Sequence, residues 1–398
     1  MLEALSQGAL AVAAAVFVGW AVVLSQVWRT IAALRRLPSL APSPEARRRR
    51  VTAVIAARNE VETLERAVRS LLAQEGVDMQ VVAVDDGSND GTLELLQSLA
   101  AGEPRLLVLK NTKLPRGWVA KNYALELGQG RADGDFILFT DADVFHGRRA
   151  IYNAVRVMEE ERLDHVAVHP RLEAGSLLEA LVLPLYVLIW EFRFVDPRAA
   201  SPGSGVGAGV GAFNLVRAES YRLRGTHARI RGALLDDRAL GRMMRDDGGR
   251  GSVFRAVSQV RMRPYRSFAD LYAGIRKGTL VSSGQRGLTA FIMGVLLALG
   301  GLVPPVFLAL GVPIAIAGAL PWVVVPALLA LALPIAGLFK ARTMVRFEPM
   351  AALFFPLGAL FIAASTMHGA VMFAVRGAVE WRGRLYSRGE LAASLEER

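Results

Sequence analysis

The hydrophobic positions of the chain form long uncharged runs near both ends and short apolar runs in between. Residues 7–28 contain no charged side chain over 22 positions, which is enough for a helix to cross the hydrocarbon core of a bilayer. Residues 288–339 contain none over 52 positions, which suits two spans, and 350–375 form a further apolar stretch. We therefore predict a membrane anchor at residues 1–28 and two or three spans within 288–375.

The first apolar run predicts a retained anchor. A signal peptide would begin with a basic segment and have a shorter apolar core, whereas this chain begins MLEALSQ. The next segment, 29–50, is rich in Arg, and basic residues beside a span stay on the cytoplasmic side. We expect a basic linker over 29–50 and a cytoplasmic domain after it, in a protein of a bacterial-type inner or plasma membrane. Whether 350–375 spans or is re-entrant decides the side of the basic tail, 376–398.

Between the apolar ends, apolar runs of strand length alternate with segments of helical spacing. The runs lie at 51–58, at the start of 81–88, where a strand passes into a loop, at 105–110 and at 135–140. The helical segments lie at 60–74, from Asp90 to about residue 100, and at 118–130. Strands that are apolar on both faces favour a parallel α/β sheet, and such sheets bind ligands at the carboxyl ends of their strands. The pattern predicts an α/β domain over 51–260, followed by an amphipathic connector over 261–287.

One apolar segment inside this domain, 177–195, also contains Glu179, Pro184, Glu191 and Arg193. A span here would place the acidic motifs of the domain on opposite sides of the membrane. We therefore predict an interfacial helix that dips into the headgroup region. A helix buried in the core is the alternative.

Composition narrows the classes of function. The chain of 398 residues is 53% hydrophobic and 21% charged, which disfavours a disordered chain and a purely soluble enzyme. The net charge of +11 is compatible with nucleic acid, an anionic membrane or phosphorylated substrates, and the apolar content favours the membrane over nucleic acid. The absence of Cys excludes thiolate metal sites and Cys nucleophiles. No P-loop is present, and 203–211 lacks the dinucleotide-binding spacing G-x-G-x-x-G.

Acidic residues lie near the carboxyl ends of predicted strands, where a sheet of this kind is expected to bind its ligand. They form three groups, two directly after predicted strands and one at the start of a predicted helix over 236–246: Asp85-Asp86, Asp141-Ala142-Asp143 and Asp236-Asp237. Carboxylates at strand ends suit a hard divalent cation that keeps open positions for substrate phosphates. Turn formation or helix capping is the alternative for each group taken alone. Together they predict a site for a divalent cation and the phosphates of a substrate.

The segments AVIAARNE, VDDGSNDGT, PRGWVAKNYAL, FTDAD and LLDDRAL resemble the motif series of glycosyltransferase family 2, whose fold is called GT-A. The stretch 209–245 is similar to the membrane-anchored branch that glycosylates lipids, near the hopene-associated and carotenoid enzymes and, more distantly, ceramide glucosyltransferase. The resemblance covers about 51–260. It implies a nucleotide-sugar donor, in particular a UDP-sugar, a membrane lipid acceptor, and Mg²⁺ or Mn²⁺.

The resemblance also implies roles for individual residues. Ala57, Arg58, Glu60 and Asp86 would bind the nucleotide, and Lys121 would approach the diphosphate or sugar. Asp141 and Asp143 would form the D-x-D that engages ribose and metal, and Asp237 would be the catalytic base of an inverting transfer. Asp236 stands where the family commonly has Glu. Further contacts to donor or acceptor are expected from a smaller group: Gly209, Gly211, Asp236, His227, Trp381 and Arg384.

Two other functions remain open from the sequence. A processive polysaccharide synthase would use the same site, but its Q-x-x-R-W motif is lacking, and the nearest match is Gln285-Arg286 without Trp. A membrane scaffold or transport subunit would not need Asp86, Asp143 and Asp237 together. For the tail, Trp381 and Arg384 fit either a cover over the diphosphate or a basic interfacial anchor.

Overall fold

The computed structural model describes residues 2–41, 49–191, 196–282, 286–316, 324–381 and 384–387. Backbone contacts divide the chain into two compact units. The α/β unit contains the described parts of 33–172 and 196–264, and the apolar unit those of 1–32, 173–195 and 265–388. Residues 173–195, which the sequence analysis placed inside the 51–260 domain, therefore group with the apolar helices.

The helices are numbered in chain order: α1 (Leu2–Ala33), α2 (Val61–Leu72), α3 (Thr92–Ala101), α4 (Ala120–Gln129), α5 (Ala150–Glu160), α6 (Leu177–Tyr186), α7 (Ala218–Leu223), α8 (Thr226–Arg229), α9 (Asp236–Met243), α10 (Phe268–Ser282), α11 (Gly287–Ile316), α12 (Val324–Ala341) and α13 (Phe355–Arg376). The strands are β1 (Arg35–Arg36), β2 (Arg49–Ala57), β3 (Val77–Asp85), β4 (Leu106–Lys110), β5 (Phe136–Asp141), β6 (Val144–His146), β7 (His165–His169), β8 (Arg171–Glu173), β9 (Asn214–Arg217), β10 (Gly251–Arg255), β11 (Val260–Met262), β12 (Val345–Arg346), β13 (Ala378–Trp381) and β14 (Arg384–Ser387). A π-helical turn, Val187–Glu191, follows α6, and short 3-10 helices cover Pro197–Ala200, Asp246–Gly248 and Pro349–Phe354.

The α/β unit is built on an eight-stranded sheet in the order β1-β10-β7-β9-β5-β2-β3-β4. Strand β9 is antiparallel to both of its neighbours, β5 and β7, whereas the other pairs are parallel. Strand β11 pairs antiparallel with β6 and parallel with β8 beside this sheet. The four predicted strands correspond to β2, β3, β4 and β5, and the predicted α/β class is confirmed. The apolar runs predicted a parallel sheet, and the antiparallel strand β9 makes the sheet mixed.

Both faces of the central strands are buried, as the apolar runs predicted. Along β2, Val51, Ala53 and Ile55 belong to one apolar cluster of the core, and Val54 between them belongs to the cluster on the opposite face. Because side chains alternate along a strand, a run that is apolar at nearly every position fills both faces. The basic linker predicted over 29–50 is more structured than expected, since Arg35 and Arg36 pair with β10. Of its terminal Arg run, residues 47 and 48 lie outside the described residues.

The apolar unit contains helices long and apolar enough to cross a membrane. Four such segments occur in the described part of the chain: Gln7–Ala33, Gly287–Leu310, Val324–Ala341 and Pro349–Arg376. They match the predicted anchor and the predicted C-terminal apolar region. The connector predicted over 261–287 contains the end of β11 and helix α10. The tail forms the hairpin β13–β14, and residues 388–398 lie outside the described residues.

Helix α6 corrects the predicted interfacial helix at 177–195. From Ala180 to Ile189 most side chains are buried within the protein, and a Cβ added at Gly358 of α13 would meet the carbonyl oxygen of Leu181. Glu179 is also buried, and it is satisfied by the backbone N–H of Gly175. From 180 to 189 the segment is therefore a buried helix, which the sequence left as the alternative, and residues 192–195 lie outside the described residues. Glu179 lies in the first turn of α6 and caps the start of this helix, and the hydrogen bond that it accepts allows a charged side chain to be buried there.

Candidate active site

Three neighbouring strands end at one edge of the sheet and bring the first two acidic groups together. In the register of the sheet Ala57 of β2 lies beside Asp85 of β3, and Ala56 lies beside Asp141 of β5. Asp85 accepts hydrogen bonds from the backbone N–H groups of Gly87 and Ser88, at 3.2 and 3.3 Å, and so closes the turn after β3. Asp86, the next residue, begins the polar surface of the edge.

Asp86 is held by groups from two other loops. The side-chain amide of Asn111 donates a hydrogen bond of 2.7 Å to its carboxylate, and the guanidinium of Arg58 lies 3.8 Å away. Its backbone N–H donates to the carbonyl of Ala57. Asn111 was not predicted from the sequence, because it lies 25 residues from Asp86 and becomes its neighbour only through the pairing of β3 with β4. Ala57 is fully buried and contacts Asp86 through its backbone carbonyl, so its predicted place at the nucleotide stays a prediction.

Hydrogen bonds to side chains join the loop after β2 to the loop after β3, and the sequence motifs did not predict these bonds. The backbone N–H of Asn59 donates to the Ser88 hydroxyl at 3.0 Å, and the N–H of Glu60 donates to the Thr92 hydroxyl at 2.9 Å. Asp90 accepts from the N–H groups of both Val61 and Thr92, the first residues of α2 and α3. Asp90, at the start of the second predicted helix, thus caps two helices. Glu60 is 7% exposed, so the role predicted for its side chain at the nucleotide stays a prediction.

Lys121 connects the second and third acidic groups. Its Nζ lies 2.7 Å from Asp141 Oδ1 and 3.0 Å from Asp236 Oδ2. Burial works against the charged form, but the charges of Asp141, Asp236 and the nearby Asp237 outweigh it and raise the pKa of Lys121 well above its ordinary value. One ammonium therefore stands among three carboxylates, and the cluster keeps an excess of negative charge.

Asp237 is oriented by the backbone around it. Its Oδ2 accepts a hydrogen bond of 3.0 Å from the N–H of Gly211, and its Oδ1 accepts one of 2.8 Å from the N–H of Arg238. Gly211 also lies against the other strand end, since a Cβ there would come within 2.9 Å of Asp141 Oδ2. Asp237 and Asp141 are thus brought to either side of one glycine.

The glycine-rich stretch 203–211 packs against the helix that carries Asp237. A Cβ at Gly207 or Gly209 would overlap backbone carbonyl groups of α9, those of Gly241 and Asp237 respectively. At its end the stretch is held by Asn214, which is buried and exchanges two hydrogen bonds with the backbone of Val210. The missing side chain of Gly209 leaves space for the helix, and the contact of Gly209 with donor or acceptor stays a prediction.

The residue after Lys121 supports the approach to α9. The side-chain amide of Asn122 donates to the carbonyl oxygens of Ile230, Arg231 and Ala233, at 2.8 to 3.1 Å. The adjacent pair Lys121-Asn122 therefore has two tasks, one at the carboxylates and one in the loop that leads to Asp236. Spacing along the sequence gave no signal for the second task.

His227 is not available to a substrate. It is fully buried, its Nδ1 lies 2.5 Å from the hydroxyl of Tyr221, and its ring packs edge-on against Phe139. Burial lowers the pKa of His227 to about 4, so it is neutral at ordinary pH and belongs to the core. The contact predicted for this residue is therefore wrong. Arg384 lies in β14 opposite Trp381 of β13, and the side chain of Trp381 lies outside the described part.

The donor set at this edge fits a divalent cation that takes most of its ligands from substrate. Asp141 and Asp143 are partly exposed and are separated by one residue in the turn after β5. Carboxylate oxygens are suitable ligands for Mg²⁺ or Mn²⁺, and two of them leave positions for phosphate and water. No group of three or more His, Asp or Glu side chains that could hold a metal occurs in the described residues.

Comparison with known proteins identifies the domain. Residues 52–223 match the sequence model described as Glycosyl transferase family 2. The chain contains a family 2 glycosyltransferase domain. The match begins in β2 and ends in α7, so it includes the strand-end acidic groups and Lys121, and α9 follows it in the chain.

Three relatives of the glycosyltransferase domain are informative. The succinoglycan biosynthesis protein ExoO of Rhizobium meliloti is 41% identical over 93 residues, which are 23% of this chain and 25% of that protein. The UDP-Glc:alpha-D-GlcNAc-diphosphoundecaprenol beta-1,3-glucosyltransferase WfaP of Escherichia coli is 29% identical over 113 residues, 28% of this chain and 43% of that protein. The 4,4'-diaponeurosporenoate glycosyltransferase of Staphylococcus haemolyticus is 32% identical over 94 residues, 24% of each chain.

These matches span less than half of the length of each relative. Among solved structures, the mannosyltransferase PcManGT from Pyrobaculum calidifontis, crystallised with GDP-Man and Mn²⁺, is similar with a TM-score of 0.48 and 20% sequence identity. That similarity covers 92% of this chain and 98% of the other.

Proposed function

We propose that the protein transfers one sugar from a nucleotide-sugar, in particular a UDP-sugar, to a hydroxyl group of a membrane lipid, with inversion at the anomeric carbon. The observation that carries the proposal is the cluster of Asp141, Lys121, Asp236 and Asp237 at the carboxyl edge of the sheet in a family 2 glycosyltransferase domain. A cation among carboxylates is suited to a reaction in which a diphosphate departs and a proton is removed.

Asp237 is the proposed catalytic base. The acceptor oxygen would attack the anomeric carbon while its proton passes to a carboxylate oxygen of Asp237. The bond between that carbon and the diphosphate oxygen would break, and its electron pair would leave with the diphosphate. The hydrogen bonds from Gly211 and Arg238 would keep the carboxylate aimed throughout the reaction. A single base opposite the leaving group implies inversion, by the same geometry as in inverting hydrolases.

The donor would be held by groups at the three strand ends. Asp86, supported by Asn111 and Arg58, would bind the uracil or ribose of the nucleotide. Lys121 would lie near the diphosphate and balance its charge as it leaves. Mg²⁺ or Mn²⁺ held by Asp141 and Asp143 would supply further positive charge at the same oxygens.

A lipid acceptor is supported by the apolar helices and by two relatives. Four described helices are long and apolar enough to span a bilayer. WfaP is named for a diphosphoundecaprenol acceptor, and the Staphylococcus haemolyticus protein for a diaponeurosporenoate. The basic segment after α1 supports a cytoplasmic position for the domain, with the protein integral to the inner or plasma membrane.

Processive polysaccharide synthesis is the second candidate. Poly-beta-1,6-N-acetyl-D-glucosamine synthase of Staphylococcus aureus is 28% identical over 127 residues, 32% of this chain. A processive enzyme would extend its product while it remains bound, so its products would form a series that differs by one sugar.

One incubation separates these candidates. The full-length protein in detergent would be supplied with host membrane lipids, Mn²⁺ and each of several UDP-sugars, and UDP release and lipid mass would be followed together. We expect UDP release that requires lipid and a mass gain of one hexose. A ladder of masses would favour the processive enzyme, and no reaction with any donor, from folded protein, would contradict the proposal.

A further inference from the structure

A groove in the apolar unit has basic walls and an apolar floor. It lies where the C-terminal end of α13 meets α10 and the hairpin β13–β14. Its charged lining consists of Arg276 and Lys277 from α10, Arg376 from α13 and Glu380 from β13. Its apolar lining comes from these elements and from β14: Leu280, Met372, Val379 and Leu385.

The charges in this groove favour an anion. Among the described residues that line the groove, three side chains are cationic and one is a carboxylate, and the guanidinium of Arg276 is 3.7 Å from Glu380, longer than a close ion pair. Arg276 is the partly enclosed cation, since its side chain is only 22% exposed, whereas Arg376 is exposed. Charges that are shielded from water interact more strongly with a bound ion.

The position of Arg276 is fixed by packing. A Cβ added at Gly369 of α13 would lie 2.7 Å from the Cγ of Arg276. The aliphatic part of the Arg276 side chain therefore packs against α13 at a position that has no side chain. On α10 itself, Gly278 allows this helix to pass close to the hydroxyl of Tyr186. The cationic wall therefore belongs to tightly packed helices.

The groove lies at the depth where lipid headgroups are expected. Helix α13 is a candidate span that ends at Arg376, and the apolar side chains before this end, Val371 and Val375, are 47% and 77% exposed. On the hairpin, Leu385 is 64% exposed. Exposed apolar side chains beside an Arg mark the boundary between hydrocarbon and headgroups.

We propose that this groove binds the phosphate of an anionic membrane lipid, with Arg276, Lys277 and Arg376 as its ligands. The inference does not depend on the proposed sugar transfer. The enclosed volume of about 30 Å³ admits two or three water-sized groups, that is, phosphate oxygens. The glycerol and acyl chains would lie outside, along Val371 and Val375. Basic pockets between helices near a membrane surface are a known type of anionic-lipid site.

The test compares lipid retention by charge variants of the full-length protein in nanodiscs. Wild type is expected to enrich phosphatidylglycerol over phosphatidylcholine among the lipids that co-purify after detergent extraction. Removing charge with Arg276→Gln and Arg376→Gln together should weaken binding about five-fold per charge, since a basic residue near the membrane contributes on this scale. Glu380→Gln, which removes the opposing carboxylate, should strengthen it.

The matched control is Lys340→Gln with Arg342→Gln, which removes two charges at the end of another candidate span, α12. Phosphatidylglycerol enrichment should persist in this control. Equal loss in both double variants would show attraction by net charge alone and would overturn the site. Gly369→Ala retains every charge and displaces Arg276, so undiminished binding in this variant would also count against it. Inorganic phosphate that displaces the lipid at equal concentration would overturn the assignment to a lipid.

Discussion

The acidic cluster of the α/β unit and the basic groove of the apolar unit are opposite in charge and in construction. In the cluster, Lys121 contacts two carboxylates at 2.7 and 3.0 Å, and backbone N–H groups orient Asp237. In the groove, Arg276 and Glu380 are 3.7 Å apart. Short contacts on strand ends suit chemistry, which requires fixed geometry, whereas long cationic side chains suit binding.

The largest effect is expected from Asp237→Asn. Removal of the proposed base should lower the rate of sugar transfer by about 10²–10⁴-fold, which is the usual contribution of general base catalysis. Donor binding, measured by calorimetry with the UDP-sugar and Mn²⁺, should change little, because the amide has nearly the same shape as the carboxylate and its oxygen keeps one of the two backbone hydrogen bonds, from Gly211 or from Arg238. Phosphatidylglycerol enrichment should be unaffected, which would show that the groove binds lipid independently of the proposed catalytic base.

Asp247→Asn is the matched control, since Asp247 is exposed in the turn after α9 and undergoes the same change. It should retain the wild-type rate. Normal turnover in Asp237→Asn would refute the assignment of the base, and loss of donor binding would show that Asp237 belongs to the donor site.

Substitution of Lys121 removes the cation of the acidic cluster, whereas Asp237→Asn removes one of its carboxylates. Lys121→Met leaves Asp141, Asp236 and Asp237 without their shared cation, so we expect a loss of about 10–100-fold in kcat/KM, on the scale of a charged hydrogen bond. Lys113→Met, in the exposed loop before α4, should leave the rate unchanged. A wild-type rate in Lys121→Met would exclude the cation from the reaction.

The pH dependence follows from the same contacts. Because the carboxylates raise the pKa of Lys121 above its ordinary value of 10.5, its ammonium and the stabilisation that it provides are fully present below that pH. They are lost only as the pH rises through the higher folded value. The rate profile of wild type should therefore have no descending limb from Lys121 below pH 10.5. A limb there that disappears in Lys121→Met would contradict the raised pKa.

The comparison also separates what can be predicted from sequence from what cannot. The strand-end groups are contiguous, and apolar runs predict the strands that carry them, so the pattern singled out Asp86 and Asp141, whereas Lys121 was expected only from the family resemblance. Asn111 and Asn122 were missed because their partners lie 25 and more than 100 residues away in the chain. The groove has the same property, since Arg276 and Glu380 meet only through helix packing.

Two expectations were wrong because a single sequence does not specify the direction of a side chain. His227 lies near Asp237 in sequence, but it points into the core. At 177–195 the charges predicted a surface, and Glu179 is instead satisfied inside the protein. The packing of Gly209 against the backbone of α9 was not predicted either, because the two segments meet only in the folded chain.

The packing of the glycine stretch against α9 can be tested with Gly209→Ala. Its Cβ would overlap the carbonyl of Asp237, so the helix must shift, at a cost of about 1–3 kcal/mol in the free energy of unfolding. Thermal unfolding in detergent should show a lower Tm, with reduced transfer because Asp237 moves. Gly203→Ala is the control, since no atom lies within 4 Å of its added Cβ. Equal Tm values for both variants would contradict the tight contact.

The smallest effect is expected at Asn111. Asn111→Ala removes the hydrogen bond of 2.7 Å that orients Asp86, and a bond of about 1 kcal/mol corresponds to an increase of about five-fold in the donor KM. Because Asn111 acts through Asp86 and not at the reacting atoms, kcat should remain unchanged. Asn89→Ala, in the loop whose backbone N–H donates to Asn59, is the control. A fall in kcat with constant KM would mean that Asn111 supports the reaction centre, and the nucleotide role of Asp86 would then lose its support.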